Sequence, residues 1–350
     1  MLAACKIKPD LEPVFQSIKQ PQPISTPSTS TSSTTLAMTG ETGDEEAEEL
    51  ISRLLDIHGK LESIGGELLK PGDEVDRLFV ELVGLCIKTI SEIVTNKVLN
   101  DPRIVSIFPS LHKLCSTAEC HLESHWANYI SGDLSSTSEE VFNRLLEFPY
   151  YANYTSLTRM ELSALTSLLT PTCPPLLKFA FIGSGPLPLT SLCIYQTASS
   201  FTHPSHLTTV DIQVEVLNID MNPAAISESR RLCELLCPSA GGMKFQCCPA
   251  TAPELDLSAF DVVYLAALVG STQAEKEDLL ESVVGRMREG AYLVVRSAER
   301  LRRVLYAEFD PTSEKVLKCL DICLAVHPYN NVVNSVIVGK VKSKKLAEVH

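Results

Sequence analysis

Apolar residues between about residue 43 and residue 170 recur every three or four positions, the spacing that places them on one face of a helix. One apolar stripe begins at Leu50 and a second at Leu78, and a Pro-Gly pair separates the two. Helical spacing continues over residues 112–130 and 139–146. Because alternating strand patterns are scarce in this part of the chain, we expect a helical domain over residues 43–170.

The pattern changes after a proline-rich stretch at residues 171–175. From there on, apolar runs of strand length alternate with segments of helical spacing. Strands that are apolar on both faces and separated by helices are typical of a parallel sheet covered by helices. The apolar runs are residues 177–182, 214–219, 262–268 and 291–295. We therefore expect an α/β domain over residues 171–345.

Two β-rich runs, residues 319–326 and 332–341, follow the last of these predicted parallel strands. The five residues between them, which include Pro328, predict an antiparallel hairpin. A parallel sheet that ends in such a hairpin resembles the sheet of S-adenosylmethionine-dependent methyltransferases more than that of dehydrogenases. The expected fold class is α/β: a Rossmann-like, methyltransferase-type sheet preceded by an all-helical domain.

The chain has 350 residues, of which 45% are hydrophobic, and a formal net charge of −13. This charge argues against nucleic acid or an anionic membrane as the main partner, because both bind clustered Lys and Arg. The apolar runs are too short to cross a bilayer, and the first residues lack the apolar core of a signal peptide. We expect a cytoplasmic protein with reduced cysteines. Residues 1–42, rich in Ser, Thr and Pro, are expected to be disordered.

A glycine turn, Gly183-Ser184-Gly185-Pro186, follows the first predicted strand. Two glycines let the backbone come close to a ligand at the carboxyl edge of the sheet, and the prolines after them suit the start of a helix. Pro188 stands where the dinucleotide fingerprint has a third glycine, which disfavours NAD. The turn therefore predicts a nucleoside-binding site.

The second predicted strand ends at Asp220, where a carboxylate can accept both hydrogen bonds of a ribose diol. The alternative interpretation is a helix N-cap, formed by Asp220 or by Asn222. Met221, directly after this acid, is a further candidate for a nucleoside contact. Ala250 and Thr251, which precede the strand predicted at 262–268 and stand where an adenine edge is usually met, and Ala266, within that strand, are the others.

Several long segments are similar, in the same order, to segments of the nicotianamine synthase family. Residues 148–154, Phe-Pro-Tyr-Tyr-Ala-Asn-Tyr, resemble the Pro-Tyr-Tyr-x-Asn-Tyr signature of that family. The chain departs from the family pattern at Trp126, where tyrosine is commoner, and at Ala152, where a polar residue is. The resemblance covers about residues 45–340. Its other segments are residues 118–126, the glycine turn, and residues 218–220, 290–298 and 327–338.

The resemblance implies an enzyme that joins three S-adenosylmethionine molecules into nicotianamine. The α-amine of one molecule would attack the carbon next to sulfur in the aminocarboxypropyl chain of another, and methylthioadenosine would leave. No metal and no cofactor beyond S-adenosylmethionine, which is the substrate, are implied, since the sulfonium is its own leaving group. The expected partner is this small molecule, and the oligomeric state stays open.

The resemblance also points to residues for this chemistry. Glu123 is the candidate that accepts a proton from the attacking amine, and Glu119, one helical turn earlier, is the alternative and a candidate for binding substrate. Tyr150 and Tyr151 are candidate catalytic residues, and Tyr154 is a candidate for substrate binding. A tyrosine can hydrogen-bond the amine or the carboxylate while its ring faces the sulfonium. At least one of the three is expected to be a core aromatic residue, and the sequence does not show which one.

Arg296 ends a predicted strand at the carboxyl edge of the sheet and is a candidate for binding a substrate carboxylate. An ion pair with the helical domain is the alternative interpretation. His121 and His125 have the spacing of zinc ligands on a helix, but the His-Glu-x-x-His pattern and a third ligand are missing, so we expect no metal site.

Two other functions are compatible with the strand pattern. One is a small-molecule methyltransferase that uses S-adenosylmethionine, and the other is a non-catalytic scaffold that only binds it. The presence of Glu123, Tyr150 and Tyr151 argues against the scaffold, and the resemblance as a whole favours the synthase over the methyltransferase.

Overall fold

The computed structural model describes residues 35–133, 135–169, 176–198, 213–236, 242–267, 269–270 and 272–343. Helices fill the first part, as the apolar spacing predicts. They are α1 (Thr35–Ile64), α2 (Asp73–Cys86), α3 (Glu92–Asn100), α4 (Pro102–Ser131), α5 (Ser138–Leu146) and α6 (Tyr151–Leu168), with a short 3₁₀ helix at Gly66–Leu68.

Local signals in the sequence explain where the helices that carry the site begin and end. Asp101 caps α4, because its Oδ1 accepts a hydrogen bond of 2.8 Å from the backbone N–H of Arg103. Gly132 ends α4 with a φ of 59°, which favours glycine. A capping box of Thr137 and Glu140 starts α5.

The second part is a seven-stranded mixed sheet in the order β3-β2-β1-β4-β5-β7-β6. Its strands are β1 (Leu176–Ile182), β2 (Gln213–Asp220), β3 (Met243–Cys247), β4 (Val262–Leu265), β5 (Tyr292–Ser297), β6 (Leu320–Val326) and β7 (Ser335–Val341). Helices α7 (Leu189–Ala198), α8 (Pro223–Leu236), α9 (Gln273–Arg286) and α10 (Glu314–Cys319), with a 3₁₀ helix at Arg300–Val304, connect them.

Five strands are parallel, whereas β7 runs antiparallel to both β5 and β6. The predicted hairpin is therefore confirmed, and with it the α/β fold class. Strand β3 has no counterpart among the apolar runs of the sequence. It lies at an edge of the sheet, and its residues are half-buried or exposed. Lys244 and Gln246 alternate with the apolar residues of the strand, so no apolar run forms.

The helical part packs closely on the sheet. Leu157, Leu162 and Leu165 of α6 share a core with Phe179 of β1 and Tyr264 of β4. The described residues from Thr42 onward form one compact unit. The predicted domain boundary at residue 170 therefore stays a prediction.

The predicted disordered extension, residues 1–42, overlaps the described part of the chain only from Thr35, where α1 begins. Residues 1–34 lie outside the described residues, so the prediction for them is open. Within the described part of the chain, no helix is long and apolar enough to cross a membrane.

Candidate active site

A cavity of about 480 Å³ opens at the carboxyl edge of the sheet, where α4 and α6 come over the ends of the strands. The sheet contributes the glycine turn after β1, the end of β2 and the loops after β3, β4 and β5. Of the residues singled out in the sequence, those that line the cavity are Glu119, Glu123, Tyr154, Gly183, Ser184, Gly185, Pro186, Asp220, Met221, Ala250, Ala266 and Arg296.

The glycine turn brings the end of β1 against α4. Gly183 and Gly185 have φ angles of 78° and 66°, which other residues rarely adopt. A Cβ atom on Gly185 would clash with Oε2 of Glu123, and one on Gly183 would clash with Val269. The absent side chain at Gly185 therefore allows the carboxylate of Glu123 to lie directly on the turn.

Asp220 organises the same turn from the end of β2. Its Oδ2 accepts a hydrogen bond of 3.0 Å from the backbone N–H of Gly185, and its Oδ1 accepts one of 2.9 Å from the N–H of Asn222. Asn222 takes the N-cap role before α8, because its Oδ1 accepts from Ala224 N–H at 3.0 Å. Each oxygen of Asp220 keeps lone pairs for a ligand hydroxyl.

Two carboxylates one helical turn apart on α4 face the cavity, and each accepts a hydrogen bond from a tyrosine. The Tyr154 hydroxyl donates to Oε1 of Glu123 at 2.9 Å, and the Tyr306 hydroxyl donates to Oε2 of Glu119 at 2.9 Å. Tyr306 comes from the segment after β5, 187 residues away from Glu119 along the chain. The two acids and the two tyrosines thus join three separate segments in one site.

Burial and mutual repulsion change the titration of these acids. Burial raises the pKa of Glu119, and the hydrogen bond from Tyr306 partly offsets it. The pKa of Glu123 is raised well above its usual range by burial and then by the charge of Glu119, while the Tyr154 hydrogen bond lowers it. Burial and the charge of Glu119 therefore favour the protonated form of Glu123, and a cationic ligand would favour its carboxylate form.

Arg296 lies under the acids at the end of β5 and is 6% exposed. Its Nε donates to Oε1 of Glu161 at 2.8 Å and its Nη2 donates to Oγ1 of Thr190 at 2.7 Å. The guanidinium also lies 5.3 Å from the ring centroid of Phe181. The ion pair that the sequence left as the alternative for Arg296 is therefore present, and Arg296 still lines the cavity.

Three residues named from the sequence lie elsewhere. Tyr150 and Tyr151 are half-buried at the start of α6, among apolar and aromatic residues that include Phe148 and Trp126. The Tyr150 and Phe148 rings are 5.8 Å apart. Thr251 is exposed. The structure thus brings Tyr154, and not Tyr150, Tyr151 or Thr251, to the cavity.

We assigned no role to Tyr306 from the sequence, because no local pattern pairs it with Glu119. Likewise, nothing local indicated that Glu161 holds Arg296. Within the described residues no group of three or more His, Cys, Asp or Glu side chains has an arrangement that could hold a metal ion.

Comparisons with known proteins agree with the resemblance. The sequence model described as "Nicotianamine synthase protein" matches residues 43–346. Nicotianamine synthase 3 of Arabidopsis thaliana is 35% identical over 297 residues, which make up 84% of this chain and 84% of that protein. Nicotianamine synthase 1 of Hordeum vulgare is 35% identical over 299 residues, 85% of this chain and 83% of that protein.

Solved structures show the same fold at lower identity. The crystal structure of MtNAS in complex with MTA and tNA has a TM-score of 0.64 and 20% identity, and it covers 83% of this chain and 98% of that chain. A mutant of MtNAS in complex with S-adenosylmethionine has a TM-score of 0.63 and 20% identity, with coverage of 84% and 98%.

Proposed function

The chain belongs to the nicotianamine synthase family, and we propose that its aminocarboxypropyl transfer takes place in the cavity under α4, with Glu123 as the proton acceptor. The observation that carries this proposal is the position of the Glu123 carboxylate. It lies on the glycine turn, where a nucleoside is expected, and it accepts a hydrogen bond from Tyr154.

The nucleoside half of the donor S-adenosylmethionine is expected between the glycine turn and the end of β2. Asp220 is fixed by two backbone N–H groups and offers its remaining lone pairs to the ribose hydroxyls. Ala250, Ala266 and Met221 line the same part of the cavity and leave room for the adenine. MtNAS, which shares the fold, binds S-adenosylmethionine in one structure and MTA with tNA in another.

The reaction requires a neutral amine next to the carbon that carries the sulfonium. An α-ammonium has a pKa near ~8, so a base must remove its proton before or during attack. The nitrogen lone pair then forms a bond to the carbon next to sulfur, the carbon–sulfur bond breaks, and its electron pair stays on sulfur. The products are a secondary ammonium and neutral methylthioadenosine, and the proton that left the attacking nitrogen goes to Glu123.

The raised pKa of Glu123 is compatible with this role because the substrate is cationic. Binding places a sulfonium and an ammonium next to Glu119 and Glu123, and an opposite charge within a few ångströms lowers the pKa of a carboxyl group. The substrate would thus convert Glu123 to the carboxylate that accepts the proton. Glu119, held by Tyr306, supplies a second negative charge for the amine.

Positioning decides between this reaction and methyl transfer, since both start from the same sulfonium. Glu119 and Glu123 of α4 both line the cavity, which supports binding of the acceptor amine next to them. We assign no role to a metal or a second cofactor. The cytoplasmic location expected from the sequence stays a prediction.

The product formed from S-adenosylmethionine alone tests the proposal. The purified protein is incubated with S-adenosylmethionine and analysed by mass spectrometry. Nicotianamine with three equivalents of methylthioadenosine is the expected result. S-adenosylhomocysteine that forms only when an acceptor is added would support a methyltransferase, and tight binding without turnover would support a scaffold.

A further inference from the structure

Two polar side chains at the β5 and β7 end of the cavity have no hydrogen-bond partner. Ser191, in the first turn of α7, is 1% exposed, and its Oγ has no partner among the described residues. The Nδ2 of Asn334, next to the start of β7, is likewise without a partner in the described part of the chain. Both residues line the cavity. A buried donor without a partner costs about 1–3 kcal/mol, so such groups indicate a ligand that the site is built to bind.

Arg296 lies in the same corner. Thr190, the neighbour of Ser191, accepts from Nη2 of Arg296, and Ser335, the neighbour of Asn334, pairs across the sheet with Ser297. The hydrogen bonds of Arg296 to Glu161 and Thr190 use Nε and Nη2. Within the described residues no hydrogen bond uses Nη1, so its two N–H groups remain for a ligand.

The three groups share one chemistry, since each donates hydrogen bonds and one carries a positive charge. Such a set recognises an anion with two acceptor oxygens, which is a carboxylate. The same cavity is lined by Glu119 and Glu123 of α4, whose pKa values respond to the charge of Arg296. The cavity therefore offers an α-amino acid two acids that can bind its ammonium and a set of hydrogen-bond donors for its carboxylate.

We propose that Arg296, Ser191 and Asn334 form a subsite for the α-carboxylate of the acceptor, the molecule whose amine attacks. This inference rests on the proposed function. The order of the strands favours binding of the acceptor's carboxylate at this subsite over binding of the donor's. Arg296 ends β5, three strands away from Asp220 at the end of β2, which is about 14 Å at the usual strand spacing. The donor nucleoside is expected near Asp220, so the corner lies on the acceptor side of Glu123.

Glu161 fixes this corner. It is fully buried and accepts from Nε and Nη2 of Arg296 at 2.8 and 3.2 Å, so the guanidinium can turn only one edge toward the cavity. The subsite thus fixes where the carboxylate lies, and the amine one bond away from the α-carbon is then directed at Glu123.

Binding of the product to the methylthioadenosine-loaded enzyme tests the subsite without turnover. Nicotianamine is titrated by calorimetry into wild type, Ser191→Ala, Asn334→Ala and Asn334→Asp, each saturated with methylthioadenosine, and methylthioadenosine is titrated separately. Ser163→Ala, an exposed serine on α6, is the matched control. Each alanine variant should weaken nicotianamine binding roughly 10-fold. Asn334→Asp should weaken it further, because it adds a negative charge. Methylthioadenosine binding should stay within about twofold of wild type in all variants.

Unchanged nicotianamine binding in the cavity variants would overturn the subsite, and so would an equal loss of both ligands, because that indicates general damage to the cavity. Failure of the wild type to bind nicotianamine and to form it from S-adenosylmethionine would instead refute the proposed function.

Discussion

The hydroxyl of Tyr154 donates to Oε1 of Glu123 at 2.9 Å, and this contact joins α6 to α4 directly over the glycine turn. The hydrogen bond stabilises the carboxylate form of Glu123 against burial and the charge of Glu119, both of which raise its pKa. Tyr154 therefore lowers the pKa of the proposed proton acceptor.

Tyr154→Phe removes that hydrogen bond and should raise the pKa of Glu123 further. Because the base must be deprotonated, the acidic limb of the pH profile of kcat/KM should move toward higher pH, and activity near neutral pH should fall roughly 10-fold or more. Tyr150→Phe is the matched control, since Tyr150 does not line the cavity. Identical pH profiles for wild type and Tyr154→Phe would contradict this role.

Glu119→Gln should move the acidic limb of the pH profile of kcat/KM toward lower pH. The charge of Glu119 raises the pKa of Glu123, so a neutral glutamine should lower it and extend activity to lower pH. The KM for S-adenosylmethionine should rise, because a negative charge next to the cationic substrate is lost. The measurement is kcat/KM between pH 5 and 9, and a limb that moves to higher pH would argue against the coupling between the two acids.

Most of the fold follows from the sequence. Strands β1, β4 and β5 are largely buried and therefore read as nearly continuous apolar runs, and β2 keeps apolar residues at its buried positions. The hairpin is marked by two β-rich runs around Pro328. Strand β3 was not predicted, because an edge strand whose residues are half-buried or exposed has no such run. Helix spacing identified the helical part but not how α6 packs on the sheet.

The residues of the site could be predicted one at a time, from the glycine turn, the strand ends and the resemblance, but their partners could not. Glu119 and Glu123 lie one turn apart on α4, and the glycine turn follows directly on β1. The hydrogen-bond partners of the two acids are distant in sequence: Tyr154 is 31 residues from Glu123, and Tyr306 is 187 residues from Glu119. The three tyrosines of the 148–154 segment could not be told apart, because their separation depends on where α6 begins. Tyr150 and Tyr151 lie at its first turn and Tyr154 one turn later.

Gly185→Ala should abolish coupling while Gly84→Ala should not. A Cβ at position 185 would clash with Glu123, and the backbone there has a φ of 66°. Gly84 lies inside α2 with nothing within 4 Å of an added Cβ, so alanine should stabilise the fold by about 0.5–1 kcal/mol. Turnover of S-adenosylmethionine and urea unfolding measure both effects. Near-normal turnover in Gly185→Ala would mean that the contact with Glu123 is dispensable.

Lys276 connects two loops at the cavity and should make stability depend on pH. It is 1% exposed, and its ammonium donates to the carbonyl oxygens of Ala267 and Ala307, both at 3.1 Å. Burial lowers the pKa of Lys276 to about 8. Above pH 8 the folded protein has lost the proton that the unfolded chain keeps up to a pH of ~10.4. The contribution of Lys276 to the free energy of unfolding therefore rises with pH between these two values.

Lys276→Met removes this contribution. The free energy of unfolding of wild type and of Lys276→Met is measured by urea titration at pH 7 and at pH 10. Relative to the variant, wild type should be more stable at pH 10 than at pH 7 by about 2–3 kcal/mol. A difference that is the same at both pH values would mean that Lys276 keeps its ordinary pKa in the folded protein.

Glu123→Gln tests the central claim most directly, because it keeps the size of the side chain and removes its ability to accept the proton. Wild type and variant are mixed with S-adenosylmethionine in a single turnover, and methylthioadenosine release is followed by mass spectrometry alongside a calorimetric Kd for methylthioadenosine. We predict that the variant binds methylthioadenosine within a few-fold of wild type but loses at least roughly 100-fold in the rate of release. Release at the wild-type rate would contradict the assignment of Glu123 as the proton acceptor.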